Sequence, residues 1–313
     1  MEEVVIVGAG IAGLSCLNAL VDHGICPLLI EAGTIGTPKI CGEFLAPVAS
    51  LQLEAWDIGP LQKISQIAIH ANQEQLTIDF EAAAMSRQEA ERALAKRAKA
   101  RGAKIVENSP IVSLHYPHLE LASGEKIEAK RLFVATGKFL QSASDFPYLG
   151  LKCHIPKSSE HYRLDMHILQ GGYMGIVPVS ESLTNAACLL KRGAQVDPSY
   201  NWMQAKVADF GSKKVPLWPH TYFIGDAIGS LPPAAGGGFT HAISSALLAV
   251  HYFLENDPAG YRKAIYAELH EKLPWAMGLH RIMLSPFFSK LAIKMLWPKA
   301  IKQLMTHIGL SYV

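Results

Sequence analysis

The residues best equipped for chemistry form two glycine clusters, one near each end of the chain. The first is Gly8, Gly10 and Gly13, which directly follow the apolar run Val4 to Val7 and precede the helically spaced Leu14, Leu17 and Leu20. The second runs from Gly225 to Phe239. There Asp226 follows the apolar Tyr222, Phe223 and Ile224, Pro232 and Pro233 are adjacent, and Gly236, Gly237 and Gly238 lead into a second apolar helix. A G-x-G-x-x-G between strand and helix is a phosphate cradle. Gly8 permits the turn, Gly10 lets backbone N–H groups approach a pyrophosphate, and Gly13 lets the helix pack close to its strand. A short strand, Leu28 to Ile30, ends on Glu31, close to the spacing of about 20 residues at which such sites place an acid. A carboxylate there accepts hydrogen bonds from ribose hydroxyls and repels a 2′-phosphate, so the site suits FAD or NAD rather than NADP.

Three further positions carry reactive groups. Cys41, Gly42 and Glu43 lie in "GTPKICGEFLAP", a stretch too irregular for helix or strand. Taken alone, Cys41 reads as a small hydrophobe in a packed loop. Arg87 stands at the first position of the predicted helix "SRQEAERALAKRAKARG", in which Ser86 and Glu89 form a capping box, Lys96 to Arg101 fill the last turns and Gly102 ends it. A cation at that position opposes the helix dipole by roughly 0.3–1 kcal/mol. Either Arg87 extends into solvent or a nearby anion, such as a dinucleotide phosphate, compensates it. Thr136 and Gly137 close the strand-like run Leu132 to Ala135, at the carboxyl end where open α/β sheets place their ligands.

Between these clusters the chain must supply the elements that hold them. Strand-like runs are also expected at Ile111–Leu114 and Leu119–Leu121. Residues 63–80 read as two short strands around the polar turn Asn72 to Glu74. "GLKCHIP", "YRLDMHIL", "GYMGIVPV" and "TNAACLLK" are four strand-sized segments without intervening helices, the pattern of an antiparallel sheet. Asp197-Pro198 is predicted to open a helix reaching about Phe210.

Composition bounds the rest. Half the residues are apolar and 18% are charged, which suits a sizeable core and excludes global disorder. A formal net charge of +2, without a basic stripe interleaved with aromatics, argues against nucleic acid as a partner. The five cysteines are an odd number with no C-x-x-C and no metal-type Cys/His spacing, so no metal is expected and a reducing cytoplasm fits best. Val4 to Val21 lacks the basic flank of a signal peptide, and no uncharged run reaches the length of a membrane span. Residues 272–313 carry six bases and no acid. Two readings of residues 285–313 stand: a helix closing over the core, or peripheral contact with an anionic membrane through Lys290, Lys294, Lys299 and Lys302 beside the apolar Phe287, Phe288, Leu291, Met295 and Leu296.

These motifs together resemble the glutathione-reductase-like flavoproteins over most of the chain. The resemblance is closest to the geranylgeranyl-reductase-like branch, which is related to the single-component flavin monooxygenases. It rests on "VVIVGAGIAGLS" with Glu31, on "CGEFLAP", on Arg87 with its helix, on "GYMGIVP" and on "GDAIGSLPPAAGGGFTHAI". It implies an α/β fold: a three-layer, Rossmann-type FAD-binding domain of residues 1–61, 85–147 and 216–270, an inserted antiparallel β-sheet substrate domain of residues 62–84 with 148–215, and a C-terminal helical tail of residues 271–313. FAD is implied as a non-covalent cofactor. Gly8, Gly10, Ile11, Ala12, Gly13, Glu31, Ala32, Arg87, Val112, Thr136 and Gly137 would contact it, with Cys41 and Gly42 beside the ring. Gly225, Asp226, Pro233, Gly236, Gly237, Gly238 and Phe239 would hold the flavin half. Asp226 would accept from ribityl hydroxyls, Pro232 and Pro233 would wall the ring, and the helix opened by the glycines would stabilise negative charge on reduced flavin. Cys41 and Tyr173 are the resemblance's catalytic candidates, with His154 and His167 on neighbouring strands.

The chain departs from its relatives in three places. Related hydroxylases carry Asp-Gly where this sequence has Thr136-Gly137. No W-x-W-x-I-P motif is present, which argues against a flavin-dependent halogenase. No second G-x-G-x-x-G exists, so NADH or NADPH would act only as a transient reductant. The expected function is an FAD-dependent oxidoreductase, reductase-like, acting on a small hydrophobic substrate of isoprenoid or polyketide type. The alternatives are a flavin-dependent monooxygenase and a non-redox lipid-binding protein of the same fold. An NAD-linked dehydrogenase would leave the Gly225-Asp226 strand end without a use.

Overall fold

The computed structural model describes residues 2–138, 146–156, 162–193 and 201–295. In its first half, β1 (Glu2–Val7) leads into α1 (Ile11–Asp22) and β2 (Leu28–Ile30). Next come β3 (Phe44–Leu45), α2 (Pro47–Ala55), the long hairpin β4 (Gln62–Ala71) and β5 (Glu74–Ala84), and α3 (Arg87–Ala100). The chain returns through β6 (Lys104–Val106), β7 (Ile111–His115), β8 (His118–Leu121) and β9 (Lys126–Val134). The second half contains β10 (Tyr148–Pro156), β11 (Arg163–Leu169), β12 (Gly172–Pro178), β13 (Leu183–Lys191), β14 (Met203–Val207), β15 (Gly211–Ser212), β16 (Thr221–Phe223) and β17 (Gly229–Ser230). It ends in α4 (Gly238–Leu254), α5 (Pro258–Met283) and α6 (Pro286–Met295).

Five parallel strands, in the order β6-β2-β1-β9-β16, form a Rossmann-type sheet, and the antiparallel β7 and β8 extend it from β9. The strands β1, β2 and β16 are short and largely buried, as parallel strands beneath helices must be. Helix α1 is apolar nearly all round because it packs against both α3 and α4. The buried Asn18 joins α1 to α3, donating to the Leu94 carbonyl at 2.9 Å and accepting from Arg97 at 3.0 Å. Register aligns Val7 with Ile30 and Val134, and Phe223 with Val134. The first glycine turn, Thr136 and Gly225 therefore leave the sheet at one edge.

The second sheet has the order β14-β10-β13-β12-β11-β4-β5-β3. It is antiparallel throughout except at β4 and β11, which pair in parallel and join its two chain segments. The β4–β5 hairpin is longer than the sequence suggests, and Asn72 takes the left-handed conformation at its turn. The helix expected up to Phe210 is not found. Residues 203–207 are the edge strand β14, paired with β10, and residues 197–200 lie outside the described residues. The Asp-Pro start signal was local, whereas the side-chain alternation of Met203 to Val207 matches a strand.

Candidate functional site

The two glycine clusters meet. A Cβ added at Gly225, where φ is +59°, would stand 2.7 Å from the Ala12 Cβ, so the second cluster closes directly on the first. Within the first, an added Cβ at Gly13 would collide with the Gly8 carbonyl oxygen. The space before Gly10 stays open, with only the Arg87 guanidinium 3.5 Å from an added Cβ. Gly10 offers no side-chain cap to α1, which leaves that helix's first amides facing this space. Glu31 accepts from the backbone amides of Ala9 at 2.5 Å and Gly33 at 3.1 Å, which fixes the acid beside the turn.

The second cluster is held from behind by α4. Ser245 accepts the Gly225 amide at 2.9 Å, and the buried His241 reaches the Gly225 and Gly229 carbonyls at 3.3 and 3.0 Å. Asp226 faces the cavity, and Lys213 donates to its backbone carbonyl. Burial lowers the pKa of Lys138 while Asp226 and Asp209 oppose the shift. Pro233, Gly236, Gly238 and Phe239 continue the cavity wall, and Gly237 is the uncapped N-cap of α4. These observations fit FAD. The glycine turn and the amides of α1 suit a diphosphate, and a second uncapped helix start faces the same cavity.

Glu43 is the hub of the "CGEF" loop. It is fully buried and has a left-handed backbone. Its carboxylate accepts from Lys152, from His154 at 2.6 Å and from the Arg87 amide at 2.8 Å. Burial alone would raise its pKa, but the His154 hydrogen bond and the Lys152 cation outweigh this and hold it below the usual range. The predicted capping box is thereby replaced. The Ser86 side chain makes no cap bond, and a carboxylate from another part of the chain caps α3. Arg87 neither extends freely into solvent nor depends on a ligand alone, because its Nε donates to the fully buried Glu91 at 2.8 Å. Asn185 holds the Cys41 carbonyl at 3.1 Å. Cys41 lines the cavity, and burial raises its thiol pKa although Arg87 opposes this.

From Gly10 and Asp226 the cavity, about 510 Å³, runs on over the second sheet. Its far end is apolar: Ile67, Ile69, Leu164 and Met166 from the sheet, Leu279 and Met283 from α5, and Ile293 from α6. Tyr173 lies at the junction. Its hydroxyl accepts from the Ala234 amide at 2.9 Å, beside the proline pair, and meets His280 Nδ1 at 3.2 Å. His280 Nε2 in turn lies 3.1 Å from the Tyr148 hydroxyl. Burial drives the Tyr173 pKa far up and brings that of His280 down to about 4, so both are neutral near pH 7.

Ile11, Ala12, Gly42 and Gly137 also line the cavity, whereas Glu31, Ala32, Thr136 and Val112 do not. Val112 is largely exposed on β7. His154 belongs to the Glu43 cluster. His167 is corrected: Leu164 and Met166 line the cavity, so strand alternation turns His167 to the opposite face of the sheet. Lys152, His241, His280 and Lys138 were missed. A lysine between Leu151 and Cys153 in the strand "GLKCHIP" was a signal available for the first.

Residues 2–168, more than half of the chain, match the pyridine nucleotide-disulphide oxidoreductase family. No protein of curated function matches the sequence. Among solved structures, a flavoprotein/dehydrogenase from Cytophaga hutchinsonii superposes with a TM-score of 0.81 at 14% identity, covering 98% of this chain and 92% of its own. PqsL, a probable FAD-dependent monooxygenase from Pseudomonas aeruginosa, gives 0.77 at 14% identity over 94% of this chain and 100% of its own. The flavin-dependent brominase Bmp2 gives 0.77 at 15% identity over 99% and 93%. At these identities the likeness is one of fold.

Proposed function

The chain belongs to the pyridine nucleotide-disulphide oxidoreductase family, and from this we propose an FAD-dependent oxidoreductase that acts on a small hydrophobic substrate. One observation carries the reading. A single cavity runs from Gly10, at the uncapped start of α1, and the acid Asp226 to an apolar chamber lined by α5 and α6. When bound, FAD supplies hydride and electron transfer. The chain's own residues do the rest. The α1 amides and Arg87 bind the diphosphate, Asp226 orients the ribityl chain, and Gly238 presents the amino terminus of α4 to the ring. Tyr173 holds the Pro233–Ala234 wall and offers a neutral hydroxyl to the substrate, and the Cys41 thiol lines the same cavity. The apolar chamber excludes water and selects a substrate such as an isoprenoid or polyketide.

The motifs favour a reductase of the geranylgeranyl-reductase-like type, delivering hydride to a carbon–carbon double bond. The fold shared with a probable FAD-dependent monooxygenase supports hydroxylation as the second reading. NADH or NADPH serves either reaction as a transient donor. Anaerobic mixing with each nicotinamide tests the proposal, followed by mass analysis of an isoprenoid substrate with and without oxygen. Bleached flavin and a product two hydrogens heavier support the reductase, and a product one oxygen heavier supports the hydroxylase. Flavin that neither nicotinamide nor dithionite reduces would overturn both.

Access to such a substrate fits α6. Ile293 faces the cavity, while Phe287, Phe288 and Leu291 are exposed on the same short helix, and Leu296, Lys299 and Lys302 lie outside the described residues. Peripheral contact with an anionic membrane would bring a lipophilic substrate to this wall. Among the described residues no helix is long and apolar enough to cross a membrane.

A further inference from the structure

The face of the second sheet turned away from the cavity carries a group the oxidoreductase reading does not use. β4 and β11 run in parallel with His70 directly opposite His167. Asp165, two residues before His167, points to the same side. The two imidazoles stack with centroids 4.5 Å apart and planes 9° from parallel. His70 Nε2 lies 2.7 Å from Asp165 Oδ1, and one donor atom from each of the three residues falls within 4.8 Å of the others. All three side chains are half-buried. Arg163 Nε donates to Asp165 Oδ2 at 3.0 Å, which orients the carboxylate and leaves Oδ1 turned toward the imidazoles.

We propose that His70, His167 and Asp165 form a binding site for a divalent transition-metal ion on the outer face of this sheet. Two imidazoles and one carboxylate oxygen are a donor set for zinc, cobalt or nickel rather than magnesium or calcium, which prefer oxygen. Metal–ligand bonds of about 2.0–2.2 Å hold neighbouring donor atoms roughly 3.0–3.5 Å apart. The His70–Asp165 separation must open slightly, and the stacked imidazoles must turn out of parallel so that a nitrogen lone pair of each meets the ion in its ring plane, movements within the reach of side-chain rotation. The ion replaces the proton shared between His70 and Asp165, and the carboxylate offsets part of its charge. Its place in the fold suggests its task. β4–β11 is the parallel pairing that joins the 62–84 hairpin to the strands after residue 148. An ion held by both strands clamps that junction from the side opposite the substrate chamber.

The test uses the full-length, tag-free flavoprotein after dialysis against a chelator. Calorimetric titration with zinc chloride is expected to show one saturable equivalent, and cobalt chloride to give ligand-field bands in the difference spectrum. His70→Gln and His167→Gln are each expected to weaken zinc binding by at least about tenfold, with flavin content and circular dichroism unchanged. Asp165→Asn supplies a third, milder variant should either histidine change disturb folding. His118→Gln, at an exposed position of β8, is expected to leave zinc binding intact. Absence of saturable zinc binding, or binding of equal strength in the three site variants, would overturn the proposal.

Discussion

Glu43 and Lys152 stand 109 residues apart in the chain and form an ion pair in which neither side chain is more than 3% exposed. Burying two charges costs several kcal/mol per ion, which their attraction repays only when the remaining lone pairs are also satisfied. Here His154 and the Arg87 amide complete the carboxylate's partners. The cluster ties the Cys41–Gly42 turn, the start of α3 and β10 together beneath the cavity. It is a positioning device, and its value lies in where it holds Cys41 and Arg87.

Glu43→Gln is therefore expected to cost about 3–5 kcal/mol, because it strands the Lys152 ammonium in the interior. Adding Lys152→Met should recover a large part of that loss, since an apolar side chain of similar length needs no partner. Urea unfolding of the single and double variants measures both effects. A single-variant loss below about 1 kcal/mol would show that the pair is not buried as described.

His280 gives the protein a defined acid sensitivity. Burial pulls its pKa down to about 4, opposed by Asp209 and aided by Arg281 and Lys191. In the unfolded chain it titrates at about 6.5. The unfolded state thus binds the extra proton first. Stability from this group is complete above about pH 6.5 and drains as pH falls toward 4, by up to about 3 kcal/mol. His280→Gln should flatten the stability profile across that window. Parallel profiles for the variant and the unaltered protein would contradict the assignment.

Arg87 bridges the buried Glu91 and the space before Gly10. Arg87→Ala leaves Glu91 with Lys39 as its remaining cation, at 3.2 Å. The expected cost is roughly 1–3 kcal/mol in the cofactor-free protein, together with weaker FAD binding. Arg87→Glu sets a second carboxylate beside Glu91 and should be worse in both respects. Melting temperatures with and without FAD decide the matter. An exposed arginine opposing the helix dipole would instead give a neutral or stabilising Arg87→Glu.

How far the sequence could be read depended on the range of the signal. The glycine turns were legible because each is a local device whose residues are adjacent in the chain. Gly8 to Gly13, Glu31 and Gly225-Asp226 thus announced the cradle and the returning strand. The Glu43 cluster was not legible as a cluster, since Lys152 and His154 reach it from β10 and Arg87 from α3, all far from it in the chain. Cys41 drew attention as the reactive type in that loop, although the neighbouring carboxylate makes the contacts. Ser86 and Glu89 satisfied a capping pattern that tertiary structure overrode by supplying Glu43. Asp197-Pro198 resembled a helix start, but pairing with β10 decided the following residues.

The exposed Phe287, Phe288 and Leu291 allow the membrane reading to be tested directly. Flotation with phosphatidylglycerol vesicles is expected to carry the protein upward at low salt, with each nearby lysine adding about 1 kcal/mol. Joint Phe287→Ser and Phe288→Ser substitution, or added salt, should release it while flavin content stays constant. Equal recovery with neutral and anionic vesicles would return α6 to the role of a wall over the cavity.

The central claim is that the two glycine clusters close around FAD held without a covalent bond, and titration of the apoprotein with FAD tests it most directly. The unaltered protein is expected to bind one equivalent, which acid precipitation then releases in full. Asp226→Ala removes a charge-assisted hydrogen bond worth roughly 1.5–3 kcal/mol and should raise the dissociation constant about ten- to hundredfold. Failure to bind FAD, or a dissociation constant unmoved by Asp226→Ala, would contradict it.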